Sequence, residues 1–295
     1  MRNLILLIAV GAICMITAAQ NEPVRIIVIG AHPDDCESRT GGVAAEWAEM
    51  GHLVKFVSVT NGDAGHQAKG GGALAKIRRA EAMEAGRVLR VEYEILDNHD
   101  GELLPTLEVR KDIIRLIREW KADVVISHRT NDYHPDHRYT GMLVQDAAYM
   151  VIVPNIVPDT PPLETNPVFL YMQDGFQKPN PFEPDIAVSI DRSFDKKIRS
   201  LAAHESQVFE WLPWTAGRLE EIPSDTETRL QYLSQRYERE ITPEIRQVLV
   251  DWYGKEEGNK IDKAEAFEIC EFGRHPDKDE ILRLFPMLKD PGLSR

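Results

Sequence analysis

Cysteine is scarce in this chain of 295 residues, which contains three in total. Cys14 lies in an apolar N-terminal stretch, so Cys36 and Cys270 are left for the folded part. One possible pair is not a disulfide framework in a chain of this length, and the fold must therefore depend on its hydrophobic core. Hydrophobic residues make up 43% of the chain and charged residues 28%, which are ordinary fractions and exclude a disordered or collagen-like protein.

Basic residues are also few, since 35 Lys and Arg stand against 48 Asp and Glu and give a net charge of −13. This balance argues against nucleic acid as a partner, because a phosphate-binding surface needs a basic face. The chain lacks a dinucleotide fingerprint as well, since Gly30-Ala31-His32-Pro33 supplies one of the three glycines that it requires. The glycine-rich segment 62–72 contains no G-x-x-x-x-G-K-[ST] pattern. A nucleotide cofactor is therefore disfavoured.

A hydrophobic run at 4–16 follows Met1-Arg2 and precedes the small residues 17–19. This order is typical of a secretory signal. The alternative, a membrane helix, is disfavoured because the run is shorter than the ~20 residues that a span needs. We therefore expect residues 1–20 to be a signal peptide, the protein to be exported to the periplasm or the exterior, and no stable membrane span after cleavage. Residues 21–295 are predicted to form a single domain with a C-terminal extension from about residue 208.

Predicted strands and helices alternate through the first half of the chain. Short runs rich in β-branched residues predict strands at 24–30, 53–60, 91–96 and 122–127. Helical patterns cover 41–50, 73–89, 107–120 and a segment that continues to Tyr149. This alternation is typical of βαβ units, which form a parallel sheet with right-handed crossovers.

The second half of the chain gives weaker patterns. Segment 153–184 is rich in proline, with possible strands at 168–172 and 185–190. One helix is predicted over 192–211, another over 226–240, and a further helical stretch after Ile261. We therefore predict an α/β fold, with a mostly parallel sheet flanked by helices and an irregular, helical C-terminal extension.

Histidine and aspartate side chains follow the first and the fourth predicted strands, as His32-Pro33-Asp34-Asp35 and His134-Pro135-Asp136-His137. Open α/β sheets bind ligands outside the carboxyl ends of their strands, so we expect these motifs to meet. Imidazoles with a carboxylate are a familiar ligand set for a zinc-class ion, and a catalytic site needs three of them and an open position. The remaining groups are available for proton transfer. From the residues alone, the choice of the histidine ligands stays open.

These motifs resemble those of the PIG-L/LmbE-like family of metal-dependent de-N-acetylases. The most specific matches are A-H-P-D-D at 31–35, followed by Gly41-Gly42, and H-P-D-H at 134–137. Shorter matches at 78–81, 100–103 and 204–207 are similar to the family's R-x-x-E, D-G-x-L and H-x-S-Q elements. The resemblance extends from about Arg25 to Gln207. One departure is Cys36, which precedes Glu37 and stands where many members have a glutamate.

The resemblance implies a Rossmann-like sheet with Zn²⁺, or another divalent transition metal, held by three ligands, His32, Asp35 and His137. It implies Asp34 as the general base and His134 as the residue that stabilises the oxyanion, with Asp136 orienting His134. The products would be acetate and a free amine from an N-acetylglucosamine-type sugar, so the substrate is expected to be a small molecule or a glycan. Two alternatives stay open, a metal-dependent amidase for a thiol-sugar conjugate or another small amide, and a non-catalytic carbohydrate-binding protein.

Five further residues are weighed individually. Arg78 and Asp100 are candidate substrate-binding residues, with a helix-surface salt bridge and a turn-forming Asp-Gly as the respective alternatives. His128 is predicted to be a loop or solvated histidine. Trp211 and Trp214 could form a sugar-stacking surface, but such a pair is more often buried, and we predict them in the core.

Overall fold

Seven strands form one mixed sheet in the computed structural model, which describes residues 22–289. The strands are β1 (Arg25–Gly30), β2 (Leu53–Thr60), β3 (Glu92–Asn98), β4 (Val124–Ser127), β5 (Val168–Met172), β6 (Ile186–Ser189) and β7 (Ala264–Ile269). Their order across the sheet is β3-β2-β1-β4-β5-β7-β6. Strands β1 to β5 pair in parallel, whereas β7 pairs antiparallel with β5 and β6. The predicted mostly parallel α/β sheet is confirmed.

The helices connect the strands and cover the sheet. They are α1 (Asp35–Glu49), α2 (Gly71–Leu89), α3 (Leu107–Trp120), α4 (Pro135–Met150), α5 (Phe194–Ala202), α6 (Leu212–Thr215), α7 (Thr226–Tyr237), α8 (Pro243–Tyr253), α9 (Lys255–Gly258) and α10 (Lys278–Leu284). A π-helical turn, Ser206–Trp211, precedes α6. Within residues 22–289, no helix is both long and apolar enough to cross a membrane. The predicted signal segment lies outside the described residues.

The strand order reverses at β1. The chain runs from β1 to β2 and β3 on one side, whereas β4 and β5 lie on the other. The loops that leave two neighbouring parallel strands diverge at such a point and leave a crevice between them. The loop after β1 carries the His32–Asp35 motif, and the loop after β4 leads to the His134–His137 motif. The topology therefore brings both motifs to the same crevice.

The two faces of the sheet bury separate apolar layers. Ile26 and Val28 of β1 belong to the layer that includes α1, α2 and α5, whereas Ile27 and Ile29 pack with α3 and α4. All four side chains are fully buried, which stabilises the fold by roughly 1.5–3 kcal/mol each. A strand buried on both faces has a continuous apolar sequence, which is the pattern that identified β1.

Helix α1 lies close to its neighbours in the C-terminal half of the chain. A Cβ atom on Gly42 would lie 2.7 Å from the Cβ of Ile190, so this close approach requires glycine. The N–H groups of Gly42 and Val43 donate to the carboxylate of Glu265 on β7, at 3.1 and 2.8 Å. The Lys197 ammonium of α5 donates to the same carboxylate at 2.7 Å. This buried network joins α1, α5 and β7.

Two predicted helices differ from the structure at their ends. Helix α1 begins at Asp35 rather than at residue 41, because the polar first turn hides the helical pattern there. The predicted helix over 192–211 is interrupted after Ala202 and continues as the π-helical turn. At this break the buried His204 side chain contacts Glu37 at 2.8 Å, and the Ser206 N–H donates to Glu81. These tertiary contacts replace the regular helical path.

The segment after Ile261 is a strand before it is a helix. The sequence predicts a helical stretch there, and the structure has this helix at α10. The strand β7, which precedes α10, was not predicted. In β7, whose sequence is A-E-A-F-E-I, two glutamates interrupt the apolar residues, and one of them, Glu265, is buried with Lys197 as its partner. A buried glutamate disguises the strand pattern, because a charged side chain normally marks the exposed face.

Candidate active site

Each motif lies on a turn between a strand and a helix. Asp34 is the residue before α1, and His134 is the residue before α4, where its Nδ1 accepts a hydrogen bond from the Asp136 N–H at 3.2 Å. Pro135 occupies the first turn of α4, a position that proline favours. The backbone is thus held on both sides, by the sheet and by the helix, while the side chains face the crevice.

The three predicted metal ligands lie together. His32 Nδ1 is 3.1 Å from His137 Nε2 and 3.5 Å from Asp35 Oδ2, and His137 Nε2 is 3.5 Å from Asp35 Oδ1. A tetrahedral ion with bonds of about 2.0–2.1 Å separates its ligands by about 3.3 Å, so this spacing suits one ion. Three overlapping groups of donor atoms, each group within 4.8 Å, share His32 or His137: His32, His134 and His137; Asp35, His128 and His137; and His32, Asp100 and Asp136.

In both predicted histidine ligands, the ring nitrogen that does not face the shared point contacts a carboxylate. His32 Nε2 lies 3.2 Å from Asp100 Oδ1 and 3.2 Å from Asp136 Oδ2. His137 Nδ1 lies 3.0 Å from Asp132 Oδ1. A metal-ligating histidine almost always has such a partner, which fixes the tautomer and the ring orientation. The outer contacts therefore leave His32 Nδ1 and His137 Nε2 facing the shared point.

The electrostatics of the crevice favour positive charge. Burial lowers the pKa of His32, but the carboxylates of Asp100, Asp136 and Asp35 together raise it well above its ordinary value. Burial raises the pKa of Asp35, yet the neighbouring His137 and His128 hold it well below its usual range. Carboxylates that draw positive charge onto an imidazole would equally attract a cation. In spacing, donor type and charge, these residues fit a divalent metal ion.

Asp34 has a strained backbone beside the predicted ligands. Its φ is 139°, a region that side chains rarely adopt, and its side chain is buried at 8% exposure. Strain of this kind costs about 1–3 kcal/mol and persists where the surrounding structure enforces it, often at functional sites. Burial, and next the negative charge of Asp35, raise the pKa of Asp34 to about 6. A carboxylate with a pKa in this range suits proton transfer near neutral pH.

His134 and Asp136 have different contacts. Because His134 Nδ1 accepts a backbone hydrogen bond, the proton of the neutral ring lies on Nε2, which makes Nε2 a donor. Burial, and next the charges of His32 and His137, lower the pKa of His134 and favour that neutral form. The Asp136 carboxylate is fully buried and accepts from the Gly101 N–H at 2.7 Å. It contacts His32 directly and His134 through the backbone, so its predicted effect on His134 stays a prediction.

A cavity of about 470 Å³ opens beside these residues. Its lining includes His32, His134, Asp100, Arg78 and Trp211. Arg78 is 2% exposed, and its Nη2 donates to the Gly65 carbonyl at 2.6 Å, whereas its Nε and Nη1 have no hydrogen-bond partner among the described residues. The structure thus brings both predicted substrate-binding residues to the cavity wall, with unsatisfied donors on Arg78. A helix-surface salt bridge does not describe a buried Arg78.

Sequence reasoning missed three residues around the site. His128, predicted to be solvated, is 3% exposed, stacks on the His137 ring at 4.3 Å, and lies 3.2 Å from Asp35 Oδ2. It follows β4 directly, so the strand-end position that identified His32 also identifies His128. His204, the first residue of the H-x-S-Q match, forms a fully buried pair with Glu37 near Asp34. Trp211, predicted to be core, lines the cavity.

Comparison with known proteins agrees with the geometry. The family model for PIG-L, GlcNAc-PI de-N-acetylase, matches residues 27–148. The diacetylchitobiose deacetylase of Thermococcus kodakarensis is 30% identical over 207 residues, which cover 66% of this chain and 74% of that protein. The chain belongs to the PIG-L family. Family membership confirms the resemblance and the predicted class of enzyme, a hydrolytic de-N-acetylase.

Two further relatives show the range of this PIG-L fold. The structure of N,N'-diacetylchitobiose deacetylase from Pyrococcus horikoshii superimposes with a TM-score of 0.63 at 25% identity, and covers 83% of each chain. The 4-oxalmesaconate hydratase of Pseudomonas putida is 27% identical over 202 residues, which cover 66% of this chain and 78% of that protein. The activities of these two relatives differ, so the residues of the cavity must select the substrate.

Proposed function

We propose that this PIG-L protein is a zinc-dependent hydrolase that removes an N-acetyl group from an amino sugar or a glycoconjugate. The observation that carries the proposal is the meeting of His32 Nδ1, Asp35 and His137 Nε2 within 3.1–3.5 Å, beside a strained and buried Asp34. Three ligands of this type leave an open position, as a catalytic zinc site requires. Another divalent transition metal is the alternative occupant of the same ligands.

The residues around the ligands have complementary tasks in amide hydrolysis. A divalent ion at this position would act as a Lewis acid on the carbonyl oxygen and make water more acidic. Asp34 accepts a proton from the attacking water and returns it to the amine nitrogen as the carbon–nitrogen bond breaks. The Nε2–H of His134 donates to the carbonyl oxygen, on which negative charge develops. One water and one amide thereby give acetate and a free amine.

Arg78 and Asp100 are proposed to hold the sugar. The unpaired Nε–H and Nη1–H groups of Arg78 are buried donors at the cavity wall, and a substrate oxygen would satisfy them. Asp100 Oδ1 is engaged by His32, which leaves Oδ2 for a sugar hydroxyl.

The carbohydrate-binding alternative has no need of a buried aspartate with a pKa of about 6 beside the metal ligands. A thiol-sugar conjugate or another small amide would use the same catalytic residues.

The test combines metal analysis with acetate release. We expect purified protein to contain one divalent ion per chain and to release acetate from N-acetylglucosamine or N,N'-diacetylchitobiose. His137→Ala should lose both the metal and the activity, and Asp132→Asn should weaken metal binding by about 10–100-fold, because it removes the carboxylate that holds His137. His275→Ala, an exposed histidine, is the matched control. A metal-free wild type with no acetate release would contradict the proposal.

Export is part of the same proposal. The support is the order of basic, apolar and small residues over 1–20, which is typical of a secretory signal. We expect cleavage near Ala19-Gln20, at the end of the predicted signal over residues 1–20, and N-terminal sequencing of protein from the periplasmic fraction or the medium tests this. An intact Met1 on protein recovered from the cytosol would contradict it.

A further inference from the structure

We propose that Trp211 and Trp214 form a binding platform for a second pyranose ring of the substrate, next to the ring that carries the reacting N-acetyl group. The inference rests on the proposed function, because it concerns the same cavity. It adds a substrate class, an amino-sugar oligosaccharide of at least two rings. A free monosaccharide or a small acyclic amide would leave the platform unused.

The two indole rings are stacked outside the core. Their centroids are 5.4 Å apart and their planes differ by 16°. Trp211 is half-buried in the cavity wall, and Trp214 is 49% exposed. Neither ring belongs to the hydrophobic clusters formed by residues 22–289. Exposing two of the largest apolar side chains forfeits burial energy, which a partner would recover.

The platform lies close to the predicted metal ligands. Trp211 Nε1 is 3.4 Å from the point that a Cβ atom on Gly65 would occupy, and Asp100 Oδ2 is 3.1 Å from the same point. Asp100 Oδ1 is in turn 3.2 Å from His32 Nε2. Gly65 and Asp100 therefore connect Trp211 to His32 through successive close approaches, and Trp214 follows through its stacking on Trp211. This arrangement suits adjacent rings of one glycan and does not require a separate site.

Hydrogen bonds and ion pairs attach the π-helical turn that carries Trp211 to two other parts of the chain, helix α2 and the glycine-rich segment 62–72. The N–H and Oγ of Ser206 both donate to the Glu81 carboxylate of α2 at 2.7 Å. Glu210 lies 2.6 Å from His66 Nε2 and accepts from Lys69 Nζ at 2.7 Å, which ties the turn to the glycine-rich loop. A fixed aromatic surface loses little conformational entropy on binding. Short π-helical turns of this kind frequently occur at functional sites.

The chemistry of the platform favours a pyranose. A chair with equatorial substituents presents axial C–H groups on its faces, and these pack against the flat face of an indole. Tryptophan also carries an N–H at its edge that can donate to a hydroxyl group. Trp211 Nε1 makes no hydrogen bond within residues 22–289, so this donor is available in the cavity. Tyr133, which is 70% exposed, adds a further aromatic side chain to the cavity lining.

The experiment compares substrates of one and two rings. Acetate release from N-acetylglucosamine and from N,N'-diacetylchitobiose is measured for the wild type, Trp211→Ala, Trp214→Ala and Trp214→Phe. Trp214→Ala should raise KM for the disaccharide about tenfold, in line with the ~1.4 kcal/mol that a tenfold change represents, and leave the monosaccharide within about twofold. Trp214→Phe should restore most of the loss. Tyr149→Ala, which removes another exposed aromatic side chain at 65% exposure, is the control.

A binding measurement separates this inference from the proposed reaction. Asp34→Asn protein is titrated with N,N'-diacetylchitobiose and followed by tryptophan fluorescence, with and without Trp214→Ala. Binding that Trp214→Ala weakens supports the platform even if the wild type releases no acetate, in which case the proposed reaction fails alone. Equal effects on both substrates, an unchanged KM for the disaccharide, or no binding of the disaccharide would overturn the platform.

Discussion

Replacing Asp34 by asparagine is expected to lower kcat for amide hydrolysis by about 10²–10⁴-fold, because the amide cannot accept a proton from water. The metal content should not change, since the ligand atoms belong to His32, Asp35 and His137. The fold should also persist. Asparagine has nearly the size and shape of aspartate, so the surrounding packing that enforces the strained backbone at 139° is unchanged. Initial rates of acetate release and metal analysis of the same preparation measure both effects.

Two comparisons make the Asp34 result specific. Asp146→Asn removes a surface carboxylate that pairs with Arg110 at 2.9 Å, and its kcat should stay within about twofold of the wild type. With the metal removed from both proteins, the urea midpoint of Asp34→Asn should equal or exceed that of the wild type. The raised pKa of Asp34 means that its charged form is disfavoured in the folded state, so a neutral side chain removes that cost. Retained turnover in Asp34→Asn would exclude Asp34 as the base.

The strand ends of the site could be predicted because they depend on local sequence. A continuous apolar run predicted β1, and the ligand-type residues that follow it could only lie at the carboxyl edge of the sheet. The same argument holds for β4, and it predicts that His137 lies near His32 although the two residues are 105 positions apart in the sequence. The same strand-end position applies to His128, but a lone histidine carries no spacing pattern, and the sequence therefore predicts a solvated side chain where the structure has a buried one.

The residues that surround the ligands could not be predicted in the same way. Asp100 holds the His32 ring through a contact between two loops, and the register of loops has no sequence period. Asp132 lies five residues before His137 on the same β4–α4 connection, but it stands outside the H-P-D-H motif that drew attention to His137. Trp211 and Trp214 were wrongly predicted to be in the core. Their apolar character predicts burial, and it cannot show that the turn between α5 and α6 leaves the Trp211 ring at the cavity. The strain at Asp34 is likewise set by the surrounding packing, so the motif alone did not indicate it.

Replacing Lys197 by methionine is expected to destabilise the protein by about 3–5 kcal/mol, because it leaves the buried Glu265 carboxylate without its counter-charge. Both side chains are 1% exposed, and their contact is 2.7 Å. The N–H groups of Gly42 and Val43 also donate to Glu265, so the loss should loosen α1, which carries Asp35. Total stabilities of folded domains are about 5–15 kcal/mol, which makes this a large fraction. Urea unfolding followed by circular dichroism measures the change.

A neighbouring residue supplies the control for Lys197. Lys196 pairs with Glu49 on the surface, with exposed fractions of 34% and 52%, so Lys196→Met should change the free energy of unfolding by no more than about 1 kcal/mol. The double variant Lys197→Met/Glu265→Gln should recover part of the loss, because glutamine removes the unpaired charge and keeps one oxygen for one of the two α1 N–H groups, whereas the other N–H loses its acceptor. Simple additivity of the two changes would show that the pair is not coupled. A Lys197→Met protein as stable as Lys196→Met would show that the attachment of α1 to the C-terminal half of the chain depends on apolar packing, such as that of Gly42 against Ile190.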